Sequence, residues 1–70
     1  MPAEAQLGNR LTAVRTAAGL TQAQLADLAG VSRKTINTVE NRVFIPSTVL
    51  ALRLSAALGT SVEALFFLEA

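Results

Sequence analysis

The sequence predicts an all-α fold, a compact bundle of five short helices, on three observations. Gly19, Gly30 and Gly59 each close a helix-like run, where glycine takes the left-handed conformation that ends a helix at no steric cost. Within two residues each is followed by a hydroxyl able to open the next helix (Thr21, Ser32 and Ser61), and Ser47, just after Pro46, is a fourth. Apolar residues recur at spacings of three and four, and no stretch alternates in the β manner.

Leu7, Leu11, Val14 and Ala18 form the stripe of a first helix, roughly Asn9 to Ala18, and residues 1–8 are expected to be a loosely ordered arm. The second helix runs from about Gln22 to Ala29 and buries Leu25, Leu28 and Ala29. Thr21 and Gln24 have the spacing of a capping box, and Leu20 with Leu25 that of a hydrophobic staple. The third, about Arg33 to Asn41, buries Ile36 and Val39 and is stapled by Val31 and Ile36. Two stapled helices separated by one glycine must turn sharply. A fourth helix, Thr48 to Leu58, is apolar on most sides, as suits the middle of a bundle or an interface. A fifth runs from Val62 to about Phe67 and carries Leu65 and Phe66.

The chain of 70 residues is read as a single domain, 1–70, small enough that only about 60% of the unfolded surface can be hidden. Hydrophobic residues make up 51% of it, yet no uncharged stretch, the apolar Val43 to Leu52 included, comes near the roughly 20 apolar residues a membrane span needs. The surplus instead points to a contact beyond the monomer core, a homodimer. The start, Met1-Pro2-Ala3-Glu4, has neither the basic nor the apolar part of a signal peptide, so the protein is read as cytoplasmic.

Enzymatic chemistry has little to work with. Histidine and cysteine are both absent, which removes the usual acid–base and nucleophilic groups and the thiolate metal ligands. The five carboxylates are scattered, and no phosphate loop or metal-ligand spacing occurs. No enzyme activity, metal, cofactor or small-molecule ligand is expected. Three phenylalanines without tyrosine or tryptophan make a poor stacking platform for single-stranded nucleic acid or RNA.

The third helix is different. Arg33, Lys34, Asn37, Thr38 and Asn41 share one helical face that carries no acid, opposite Ile36 and Val39. Arginine or lysine can donate to guanine O6 and N7, and asparagine can pair with adenine N6 and N7, so this face suits the major groove of double-stranded DNA. The net charge of +1 is weak for such a role, but Arg33, Lys34 and Arg42 cluster within ten residues.

The run Leu20-Thr21-Gln22-x-x-Leu25-Ala26-x-x-x-Gly30-Val31-Ser32-x-x-x-Ile36-x-x-x-Glu40-Asn41 closely resembles the Cro and phage-repressor (XRE-like) family of helix-turn-helix regulators. Pro46-Ser47, Leu50-Ala51-Leu52 and Leu58-Gly59-x-Ser61-Val62-Glu63-x-Leu65-Phe66 extend the likeness from about Arg10 to Leu68. The resemblance implies the phage-repressor fold with its helix-turn-helix in helices 2 and 3, and a bacterial or phage-type repressor acting as a homodimer on palindromic DNA. It implies that Ser32, Arg33, Lys34, Asn37 and Thr38 face bases or nearby phosphates. Gln22, Asn41 and Arg42 would hold the DNA backbone, and Arg10 is a further phosphate candidate. Arg15 and Glu40 would form a structural ion pair.

Two departures stand out. The family often has glycine where this chain has Arg42, so Asn41 is expected to take the left-handed conformation. The loop that follows reads Val43-Phe44-Ile45 where the family is usually polar. Phe44 is expected to turn into the core, while Val43 and Ile45, with Phe67 and Leu68, are candidate dimer contacts. Two other readings stay open: a protein-interaction, antitoxin-like module on the same fold, and the DNA-reading end of a longer ligand-sensing regulator.

Overall fold

The computed structural model describes residues 6–69. In chain order it contains β1 (Gln6–Asn9), α1 (Leu11–Ala17), α2 (Gln22–Ala29), α3 (Arg33–Glu40), α4 (Thr48–Leu58), α5 (Val62–Leu65) and β2 (Phe66–Glu69). Thr21, Ser32, Ser47 and Ser61 cap α2 to α5, each side-chain oxygen accepting an amide three residues on. The Thr21–Gln24 capping box is complete. These bonds satisfy amides that a helix start leaves without a partner.

Four helix ends share another device. The amide five residues beyond a carbonyl in the last turn bonds back to it: Leu20 to Arg15, Val31 to Ala26, Val43 to Thr38 and Thr60 to Ser55, at 2.9–3.1 Å. Closing this ring requires a left-handed residue just before the donor. Glycine provides it three times. At the end of α3 it is Arg42, with φ 62°, whereas Asn41 sits at φ −87°. The expectation for Asn41 is therefore corrected: the ring must close one residue later.

Leu11, Leu25, Ala26, Ala29, Ile36, Val39, Leu50, Leu54, Leu65 and Phe66 form the core. Each large side chain among them contributes about 1.5–3 kcal/mol of apolar burial. Leu28, expected inside, is exposed. The buried arc of α2 runs through Leu25, Ala29 and Ala26, and Leu28 lies about 100° from its centre. The small alanines let α2 lie close to both α3 and α4. Phe44 is also not a core residue; it is 46% exposed.

The fold is not purely helical. β1 and β2 pair antiparallel, Gln6 with Glu69, Leu7 with Leu68, Gly8 with Phe67 and Asn9 with Phe66. The Arg10 amide extends the ladder to the Leu65 carbonyl at 2.8 Å. The first helix accordingly starts at Leu11 and the fifth stops at Leu65, both inside the predicted bounds. Of the expected arm, residues 1–5 lie outside the described residues, and 6–8 belong to β1. Gly8 is needed there, because a Cβ at that position would lie 2.4 Å from the Phe67 ring. An aromatic ring covering a glycine across two strands shields the backbone and sets the register.

Among the described residues, no helix is long and apolar enough to cross a membrane.

Candidate nucleic-acid interface

α2 and α3 are joined by Gly30, Val31 and Ser32 alone. The bond from Val31 to Ala26 closes α2, and Ser32 opens α3 by accepting the Thr35 amide at 3.1 Å. With Ile36 and Val39 buried, the opposite side of α3 must face outward.

A buried junction holds α3 from behind. Arg15 Nε donates to Glu40 Oε2 at 2.6 Å and Arg15 Nη2 to Oε1 at 3.2 Å. Arg15 Nη1 donates to the Leu20 carbonyl at 2.9 Å, and Gln22 Nε2 donates to Glu40 Oε1 at 2.9 Å. The Arg15 and Glu40 side chains are only 13% and 5% exposed. Burial by itself would push the Glu40 carboxyl up, but hydrogen bonds from Arg15, Gln22 and Thr12, with the charge of Arg15, outweigh it and hold the group below the usual carboxylate range. The hydrogen bond to Glu40 raises Arg15 against the opposing effect of burial. One cluster thus ties α1, the turn after it, the start of α2 and the end of α3. It also takes the only acid of α3 away from the outer face.

Asn9 adds a second tie that the sequence reading did not anticipate. Its Nδ2 donates to the Val39 carbonyl at 3.0 Å, and its Oδ1 accepts the Leu11 amide at 3.1 Å. The residue assigned to the start of a helix instead ends the preceding strand, accepts the first amide of α1 and holds the last turn of α3. Only the partner 30 residues away reveals it.

On the outer face, Arg33, Lys34, Asn37 and Asn41 are exposed and Thr38 is half-buried. Neither Arg33 nor Lys34 is held by an ion pair or side-chain hydrogen bond among the described residues. Asn41 Nδ2 donates to the Asn37 carbonyl at 2.9 Å and to Asn37 Oδ1 at 3.2 Å, which presets both carboxamides. Ser32 and Thr38 are more committed. The Ser32 oxygen caps α3 and shares a hydrogen bond with the Thr35 hydroxyl, and Thr38 Oγ1 donates to the Thr35 carbonyl at 2.9 Å.

The phosphate candidates divide. Asn41 stays on the face, while Gln22 turns its amide to Glu40. Arg10 lies over the Phe67 ring, 4.3 Å from its centroid, a cation–π contact. Arg42 is paired with Glu69 and within 3.4 Å of Gln6 Oε1. The candidate dimer residues do not form one patch either. Val43 shares a groove with α3, Ile45 borders a different one with Gln6, Leu7 and Arg42, Phe67 covers Gly8, and Leu68 is exposed on β2.

Residues 11–65 match the family described as helix-turn-helix. The chain is 33% identical over 61 residues to the uncharacterized HTH-type transcriptional regulator YgzD of Bacillus subtilis, covering 87% of this chain and 92% of that one. It is 44% identical over 52 residues to an uncharacterized HTH-type transcriptional regulator of Methanothermobacter thermautotrophicus, covering 73% and 75%. The structure is similar to that of the restriction-modification controller protein C.AhdI from Aeromonas hydrophila. The TM-score is 0.76 at 38% identity, over 79% of this chain and 83% of that one.

Proposed function

The chain belongs to the helix-turn-helix family, and from that premise we propose that it is a sequence-specific repressor of transcription, reading palindromic DNA as a homodimer with α3 in the major groove. The observation that carries the reading is the outer face of α3. Two cations without a partner among the described residues and two preset carboxamides share it, while Glu40 is turned into the buried junction. These groups match the donor and acceptor pattern of base edges. In this reading the protein acts on cytoplasmic DNA and catalyses no reaction.

A second copy is expected on the apolar side. Ile45 and Leu52 are 74% and 56% exposed and border two grooves that share Leu7. To read a palindrome, such a dimer must hold its two copies of α3 about 34 Å apart, one turn of DNA. Sedimentation of Leu52→Lys should then show a monomer with an unchanged circular dichroism spectrum. A dimer that survives the charge would move the contact elsewhere.

Selection of the folded protein against a random duplex library tests the reading directly. An enriched inverted repeat is the expected outcome, and Arg33→Ala should weaken binding by about 1–3 kcal/mol and relax preference at one base pair without lowering the melting temperature. A lone half-site would argue for a monomer. No enrichment at low salt would favour the protein-interaction module, for which the exposed Ile45 and Leu68 would be the contact residues.

A further inference from the structure

Beside the polar face of α3 lies an apolar feature that the base-reading residues do not account for. Val43 and Phe44 are 77% and 46% exposed and line a groove with Ser32, Lys34, Thr35 and Thr38 of the recognition helix and its cap. Single exposed apolar residues are ordinary on protein surfaces. These two are adjacent, and α3 itself fixes them. The left-handed turn at Arg42 brings the chain back, and the amides of Val43 and Phe44 both donate to the Thr38 carbonyl, at 2.9 and 3.3 Å. Wherever α3 docks, this pair is carried along its Lys34–Thr38 edge.

An α-helix with its side chains, about 10–12 Å across, fills a major groove about 12 Å wide, so a side chain at the edge of the helix meets the groove wall and the outer base edges. The only apolar group on those base edges is the C5-methyl of thymine. Taking the DNA reading above as its basis, we propose that Val43 and Phe44 form an apolar specificity site for the methyl group of a thymine flanking the base pairs read by Arg33 and Lys34. The site is continuous with the reading face through Lys34 and Thr38, which border both. It would add sequence information that the hydrogen-bonding groups of α3 do not supply.

The test uses the duplex most enriched by the selection, with each thymine replaced singly by uracil. That change removes the methyl and keeps every hydrogen-bonding group. The wild-type protein is expected to bind about fourfold more weakly at one or two flanking positions, the worth of one buried carbon. The Val43→Ala/Phe44→Ala double variant, with unchanged melting temperature and sedimentation, should bind the thymine and uracil duplexes equally. Phe44→Leu should retain most of the preference. Indifference to uracil at every position would overturn the proposal in favour of a sequence-blind contact with deoxyribose. So would a flank without thymine, or a penalty that persists in the double variant, since another residue would then be reading the methyl. A double variant with altered sedimentation would assign the groove to a second copy of the chain. A selection that enriches no duplex is a different failure: it removes the DNA reading itself, and this site with it.

Discussion

Glu40, the last residue of α3, pairs with Arg15, and Arg42, two positions later, pairs with Glu69. Both pairs tie the end of α3 to the rest of the fold, but their surroundings are opposite. Glu40 receives two bonds from one guanidinium and a third from Gln22, in side chains 13% and 5% exposed. Arg42 and Glu69 meet through a single ion-pair contact, with side chains 44% and 40% exposed. A charge withdrawn from water has no substitute partner, so losing its counterion is costly; a charge at the surface exchanges its partner for solvent. The first pair is therefore a structural joint. The second is a contact the molecule can give up.

The largest effect is expected where one charge of the buried pair is removed. Arg15→Ala or Glu40→Ala should cost about 3–5 kcal/mol, lowering the melting temperature by more than about 12 °C in a domain of this size. An equal loss in Glu69→Ala would erase the distinction. Acid should separate the pairs as well. The folded-state pKa of Glu40 is held below its unfolded value, so its contribution is present above the unfolded pKa and is lost as pH falls through the folded one. Thermal melts of the wild type should decline over that acid window. Glu40→Gln should start less stable near neutrality and decline less steeply.

The two pairs also differ in how far the sequence revealed them. Arg15 and Glu40 occupy positions fixed by a dense pattern of caps, staples and glycines, so the resemblance implied their pairing before any contact was seen. Arg42 and Glu69 meet only because β1 and β2 pair at the chain ends, and four-residue strands are too short to show a period. Gly8 fits a loose arm as well as a strand until Phe67 is seen covering it. Leu28 in its helix and Phe44 in its loop lie outside the core although both are apolar. Periodicity for the first and apolar character for the second mark candidates, while the alanines of α2 and the bond from the Phe44 amide to the Thr38 carbonyl decide which side chains reach the core. The polar face of α3 was legible because it is local, set by one helix and one turn.

A smaller effect separates the backbone of Arg42 from its charge. A non-glycine residue in the left-handed region costs about 1–2 kcal/mol, and glycine returns part of that through the greater freedom of the unfolded chain. Neither Arg42→Gly nor Arg42→Ala can form the pair with Glu69, so the difference between them reports on conformation alone. Arg42→Gly should be the more stable by about 1 kcal/mol in denaturant titrations. Equal stability would mean that the turn relaxes around the side chain and that φ at this position is not a constraint.

The smallest effect belongs to the exposed pair itself. Glu69→Gln should lower stability by no more than about 1 kcal/mol, and the difference should vanish at about 1 M salt, where screening acts within about 3 Å. In an Arg42→Gly background the same substitution should do nothing, because the partner is gone; a persistent cost there would belong to the strand, not to the ion pair. DNA binding gives a second measure. If Glu69 restrains Arg42 from a phosphate, Glu69→Gln should steepen the logarithmic salt dependence of binding by about 0.9, one released counterion. An unchanged slope would leave Arg42 as a tie between α3 and the sheet, weaker than the Arg15 junction but serving the same end of the helix.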